Sequence, residues 1–160
     1  MRLSDEQFSK LLEYVDGWVK ELNFPVISPA SEEKKFTAEY LLPWLREKVE
    51  QLAKPGLYVR GDGGPSVHPV VWSDIAFYPD LTIVFGEEKL IAFEVKLIRQ
   101  VDPGSSLSKA IGQSILYSSF GYKVSRAIVV DCRESTRGND LMKWKSQIVI
   151  TNNSGIHVFY

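Results

Sequence analysis

Apolar and polar positions along this chain keep one period in its first third and another after it. Ser4 followed three residues later by Gln7 forms a capping box, and Phe8, Leu11, Leu12, Val15, Trp18, Val19 and Leu22 then recur at helical spacing. The spacing predicts an amphipathic helix over residues 5 to 22. Residues Asn23 to Pro29 interrupt it with two prolines. A second helical pattern runs from Ser31 to Ala53, with Pro43 as a kink or restart, and Pro55-Gly56 ends it.

Beyond that point the period shortens to two. Leu57 to Arg60 reads as a short strand and Gly61-Asp62-Gly63-Gly64-Pro65 as a turn. Val70 to Phe77, Leu81 to Phe85 and Leu90 to Ile98 read as extended segments, the last two folded together through Gly86-Glu87-Glu88-Lys89. Asp102-Pro103-Gly104 closes this meander. Ser105 to Phe120 predicts a helix, and Arg126 to Asp131 an apolar strand suited to burial within a sheet. A short helix is expected over Gly138 to Lys145. Late strands follow at Gln147 to Thr151 and Ile156 to Tyr160, joined by the turn-rich Asn152-Asn153-Ser154-Gly155. The expected fold is α/β: two helices, three or more strands, a helix, a strand and a small β extension. No internal repeat or low-complexity segment breaks it up.

The 160 residues suit one domain, and a hydrophobic fraction of 44% is enough for a packed core without disulfide or zinc support. The longest apolar runs, Leu81 to Phe85 and Ala127 to Val130, are far shorter than the roughly 20 residues of a membrane-spanning helix, so a soluble protein with no membrane partner is expected. Met1 to Glu6 lacks the apolar core of a secretory signal, and the lone Cys132 has no internal disulfide partner, which together suit a reducing cytoplasm. A net charge of -1 and a pI near 6.1 carry no global footprint of a nucleic-acid binder. A local basic patch or a bound cation can supply positive charge that composition does not record.

The candidate chemistry lies in the meander. Strand geometry projects Glu94 and Lys96 to one side and Phe93, Val95 and Leu97 to the other. Asp80, directly after Pro79, sits on the preceding segment, and the turn at Gly86 brings it toward Glu94. Two carboxylates from different strands, with the Val95 carbonyl, suit a hard cation such as magnesium, with manganese as a substitute. Lys96 would stand beside a cation-bound water, to orient it or help deprotonate it, while the cation neutralises charge on a phosphate. Asp74, six residues earlier and of the same strand parity, is an alternative to Asp80. The acidic-x-Lys pattern alone also fits a solvated cross-strand ion pair. On the following helix Gln113 and Tyr117 share one face at i, i+4 spacing, a pattern that also fits an ordinary polar position beside a core tyrosine.

Pro79-Asp80, a thirteen-residue gap and then Glu94-Val95-Lys96 resemble the PD-(D/E)XK, or restriction-endonuclease-like, nuclease superfamily. The resemblance covers residues 31 to 131. It implies an αβββαβ core with a mixed central sheet flanked by helices, to which the first helix and the C-terminal β extension are additions. Gln113 and Tyr117 are similar to the QxxxY element of several branches, which supports the site or contacts nucleic acid. The resemblance also implies an acidic residue on the helix before the meander. Glu39 is the candidate, off the apolar face marked by Leu41, Trp44, Leu45, Val49 and Leu52, with Glu32 and Glu33 as alternatives. The implied activity is magnesium-dependent endo- or exonucleolytic cleavage of DNA, or of RNA. Asp80 and Glu94 would be ligands and Lys96 would serve the water, with a homodimer or higher oligomer where both strands are cut symmetrically. The alternative is a catalytically inactive module of this fold that binds nucleic acid or a protein. Lys109, Lys123, Arg126, Arg133, Arg137, Lys143 and Lys145 give residues 105 to 145 a basic bias that can track a phosphate backbone.

Other enzyme classes lack their residues. His68 and His157 have no partner at metal-ligand spacing and are expected to be structural, and one cysteine supports neither a zinc ribbon nor an iron–sulfur cluster. Gly61-Asp62-Gly63-Gly64 lacks the lysine of a phosphate-binding loop, and no GxSxG elbow is present.

Overall fold

A computed structural model describes residues 2–22, 32–61, 66–133, 147–151 and 154–159. Helix α1 spans Asp5–Lys20 and opens as its capping box dictates. The Gln7 N–H donates to Ser4 Oγ at 3.2 Å, and the Ser4 N–H donates to Gln7 Oε1 at 3.2 Å. Its apolar stripe buries Leu11, Val15 and Val19.

The second helical pattern is one rod with a widened turn inside it. Helix α2, Glu33–Phe36, runs into a π turn at Thr37–Leu41 and then into α3, Leu42–Gln51. Pro43 explains the widening: it has no N–H to offer the Glu39 carbonyl, and its ring crowds that oxygen. The Leu42 N–H reaches back five residues to the Thr37 carbonyl instead. One extra residue in the turn rotates everything before it by about 100° relative to a straight helix. Phe36, Thr37, Leu41, Leu42, Leu45 and Val49 thereby fall on one buried side.

Six strands form the central sheet: β1 Leu57–Gly61, β4 Leu81–Phe85, β5 Glu88–Ile98, β6 Val124–Asp131, β7 Gln147–Thr151 and β8 Ser154–Phe159. Their order is β1-β4-β5-β6-β8-β7. The β1, β4 and β5 strands are antiparallel neighbours, β5–β6 and β6–β8 are parallel, and β7 returns antiparallel to β8. The fold is therefore mixed α/β around a mixed sheet. Helix α4, Pro103–Phe120, makes the crossover that the parallel β5–β6 pair requires, and the Asp102 carboxylate caps it by accepting the Ser105 N–H at 3.2 Å. The late strands extend the sheet beyond β6 instead of standing apart from it.

Residues Val70 to Phe77 are not one extended segment. They fold as a separate hairpin, β2 Val70–Trp72 and β3 Ile75–Phe77, about a two-residue turn in which Ser73 and Asp74 both take positive φ, 47° and 63°. Asp74 thus stands at a hairpin tip, away from the parity that made it an alternative to Asp80.

Alternation along β5 divides the core. Phe93, Val95 and Leu97 bury with α1, α2 and α3 residues, while Ala92 packs with Tyr117 and Ile98 with Ala110 of α4. Helices flank the sheet on both faces. Among the described residues no helix is long and apolar enough to cross a membrane.

Candidate active site

The site forms where β4 begins and β5 passes beneath it. Register pairs Leu81 with Phe93, so Asp80 arrives beside the middle of β5. Its N–H donates to the Phe93 carbonyl at 3.0 Å, and its Oδ2 accepts the Val95 N–H at 2.7 Å. Gly61 of β1 leaves room for this: a Cβ there would stand 3.1 Å from the Asp80 carbonyl oxygen and 2.5 Å from Leu81 Cδ2.

Glu94 is almost fully buried, at 2% exposure. Its Oε1 lies 2.6 Å from Lys96 Nζ, and its Oε2 accepts the Tyr117 hydroxyl at 2.8 Å. That hydroxyl also lies 3.1 Å from the Tyr78 carbonyl, and Gln113 Nε2 approaches it at 3.5 Å. Tyr117, one turn along α4 from Gln113, therefore ties the helix to the carboxylate and to the segment leading into Asp80. Lys96 Nζ donates further to Glu33 Oε1 at 2.9 Å and to the Val95 carbonyl at 3.0 Å. Glu33 Oε2 accepts the Leu97 N–H at 3.1 Å, which moors the start of α2 to β5.

Three carboxylates thus face one ammonium, and two of them, Asp80 and Glu94, are shifted. Burial, and next the charge of Glu94, push Asp80 up to about 7 from an ordinary 3.8, against the opposing Val95 N–H and Lys96. Burial likewise raises Glu94, with Lys96 and the Tyr117 hydroxyl pulling the other way. For Lys96, burial works against the charged form, but Glu94, then Glu33 and Asp80, outweigh it and hold the ammonium above its usual range. Burial beside Glu94 keeps the Tyr117 phenol protonated far beyond its normal titration, so it acts as a donor.

The donors here are all oxygen: the carboxylates of Asp80 and Glu94, the Val95 carbonyl and, at the far side, Glu33. That chemistry suits a hard divalent cation. Among the described residues no three His, Cys, Asp or Glu side chains already stand as a chelating set, and the Lys96 ammonium occupies the oxygens of Glu94, Glu33 and Val95.

Asp80, Glu94, Val95, Lys96, Tyr117 and, at its edge, Gln113 come together. Glu39 does not join them: it is exposed on the helix surface, 3.9 Å from Lys35. Glu33, one of the two alternatives for that position, reaches the cluster instead. A straight-helix wheel does not single it out because the π turn before Pro43 shifts the phase, and that proline is the available signal. Glu32 is exposed at the start of α2.

Of the basic residues between 105 and 145, three of the four described are paired with carboxylates. Arg126 is 4% exposed and grips Asp16 of α1 through two bonds, at 2.6 and 2.8 Å. Lys123 pairs with Glu88 at 3.0 Å and Arg133 with Asp131 at 2.7 Å. Lys109 is exposed on α4. Arg137, Lys143, Lys145 and the short helix expected at Gly138 to Lys145 lie outside the described residues.

No family model matches this chain, and neither the curated proteins nor the solved structures contain a significant match to it.

Proposed function

We propose that this protein is a metal-dependent nuclease of the PD-(D/E)XK type that hydrolyses phosphodiester bonds in DNA. The observation that carries the reading is the partly buried cluster of Asp80, at the start of β4, with Glu94 and Lys96 of the adjacent β5, and with Glu94 tied to Tyr117 of the crossover helix. The chain order of helix, antiparallel β1, β4 and β5, crossover helix and parallel β6 supports a restriction-endonuclease-like core.

Magnesium would be held by Asp80, Glu94 and the Val95 carbonyl, and when bound it supplies positive charge to the phosphate and acidifies water. The Val95 N–H fixes one oxygen of Asp80, and Tyr117 fixes one oxygen of Glu94, so both carboxylates are oriented before any ligand arrives. Lys96 keeps its proton tightly, which makes it a donor that orients water and phosphate oxygen in preference to a base. Lys96→Ala should abolish magnesium-dependent cleavage of plasmid, linear and branched DNA while the protein still folds. Cleavage that persists in this variant sinks the assignment.

A second reading, a module of this fold that binds nucleic acid or protein without turnover, draws on the ammonium seated among the cluster's oxygens. DNA binding unaffected by EDTA, with no cleavage of any duplex, flap or single strand, would favour it.

A further inference from the structure

We infer that the β2–β3 hairpin and the adjoining flank of α4 form a stacking platform for unpaired bases, so that the site takes a single-stranded or frayed nucleic acid in preference to continuous duplex. This rests on the nuclease reading above for the role of the neighbouring carboxylates.

Large apolar side chains are left in solvent here at the end of a rigid support. Trp72 is 49% exposed, Phe120 53% and Tyr78 60%. The Trp72 and Phe120 rings lie 6.2 Å apart at 38°, and each keeps about half its surface free. The hairpin beneath them is held firmly. Val70 is fully buried against the end of α4, so close that a Cβ on Gly121 would stand 2.9 Å from Val70 Cγ2. The Tyr122 hydroxyl donates to the His68 carbonyl at 2.7 Å and Lys89 Nζ to the Pro69 carbonyl at 2.8 Å. Exposed rings on so fixed a base present a preorganised surface.

Three features select nucleic acid as the occupant. The first is continuity with the carboxylates: Tyr78 precedes Asp80 by two residues, and its carbonyl meets the same Tyr117 hydroxyl that holds Glu94. The second is the composition of one α4 flank. At 3.6 residues per turn, Lys109, Gln113, Leu116 and Phe120 fall in one stripe about 16 Å long, with a cation at one end and the aromatic pair at the other. A cation for phosphate beside rings for bases is how single strands are held without regard to sequence. The third is electrostatic. Binding that reads only the duplex backbone needs a basic surplus, and this chain carries a net charge of -1 with Lys123, Arg126 and Arg133 already paired. Stacking supplies what charge does not, and stacking requires bases out of the duplex.

A labelled short DNA strand and the blunt duplex of the same sequence, titrated in EDTA by fluorescence anisotropy, read binding without turnover. The strand should bind more tightly than the duplex. Trp72→Ala or Phe120→Ala should weaken strand binding by about tenfold or more, with duplex binding unchanged. Trp72→Phe and Phe120→Tyr should retain the affinity, and Phe120→Leu, which keeps apolar area but not the ring, should lose it. Thermal unfolding verifies that each variant folds, and the half-exposed Tyr78→Ala replaces any that does not. Equal affinity for strand and duplex, or strand binding indifferent to these rings, overturns the inference. So does light scattering that shows a dimer dissociated by Trp72→Ala, since the patch would then be a self-association surface. Ring-dependent strand binding by a protein that cleaves nothing keeps this inference and removes the nuclease reading; cleavage with ring-independent binding does the opposite.

Discussion

Two buried ionic arrangements in this molecule are built in opposite ways. Arg126 and Asp16 join α1 to β6 as one guanidinium against one carboxylate, with two short bonds, and Arg126 also donates to the Ser125 carbonyl at 2.8 Å. Around Lys96, one ammonium answers Asp80, Glu94 and Glu33, and burial, with the surplus of carboxylates adding to it, leaves Asp80 and Glu94 resisting ionisation. The first arrangement is satisfied and locks a helix to the sheet. The second holds excess negative potential in a partly buried place, which a bound cation would relieve. Strongly perturbed ionisable groups in one cluster mark a candidate functional site, and this asymmetry makes the Lys96 cluster the candidate here.

The comparison breaks most visibly at Arg126. Arg126→Met removes the guanidinium that holds the Asp16 carboxylate and should cost about 3 kcal/mol, measured by urea unfolding. The double variant Asp16→Leu, Arg126→Met should recover most of that, because matched apolar replacements remove both charges. If the single variant costs nothing, the pair does not lock α1 to the sheet.

The lock and the site differ also in how far the chain announces them. The capping box at Ser4 and Gln7, the period of α1 and the apolar runs of β4, β5 and β6 are local signals, and each element lies within a few residues of its expectation. Glu94 with Lys96 and Gln113 with Tyr117 are legible from strand and helix periodicity, Asp80 from the turn at Gly86, and the motif resemblance joins them. Glu33 stands only as an alternative to Glu39, since the rotation that aligns it comes from a π turn that a regular 3.6-residue wheel cannot represent. The β2–β3 hairpin is not legible, because its turn residues Ser73 and Asp74 lack the glycine that usually marks positive φ. The fate of Arg126 depends on Asp16, 110 residues away, a tertiary pairing no local pattern records.

The next largest effect is the strain at Asp80. Below pH 3.8 its carboxyl is protonated whether folded or not and contributes no pH dependence. As pH rises toward 7 the unfolded chain has already released a proton that the folded one still holds, so stability falls through this window and levels off above about 7. Asp80→Asn keeps an acceptor for the Val95 N–H and removes the ionisation. It should stabilise the metal-free protein by on the order of 1 to 3 kcal/mol near pH 8 and by almost nothing near pH 4. Magnesium should raise the unfolding temperature of the parent protein above pH 7, lose that effect below pH 6, and not stabilise the variant. A variant no more stable than the parent at pH 8 would show that the cluster is balanced after all.

The smallest effect separates Glu33 from Glu39, two glutamates of one helical rod. Glu39 meets Lys35 in solvent, where such a pair is worth only a few tenths of a kcal/mol, and Glu39→Gln should alter neither stability nor the pH dependence of cleavage. Glu33 adds negative charge that raises Asp80 and Glu94, though it is the weakest of the causes acting on each. Glu33→Gln keeps an oxygen for the Leu97 N–H and removes a local negative charge, so the Asp80 midpoint should move down from about 7 by a fraction of a unit. Ionisation then comes at lower pH, and the rise of cleavage with pH should shift the same way, even as the weaker hold on Lys96 reduces the maximum rate. The two glutamines, compared by the midpoint of the pH–rate profile, decide which carboxylate of the helix the site feels, and an unmoved midpoint in Glu33→Gln would place Glu33 outside it.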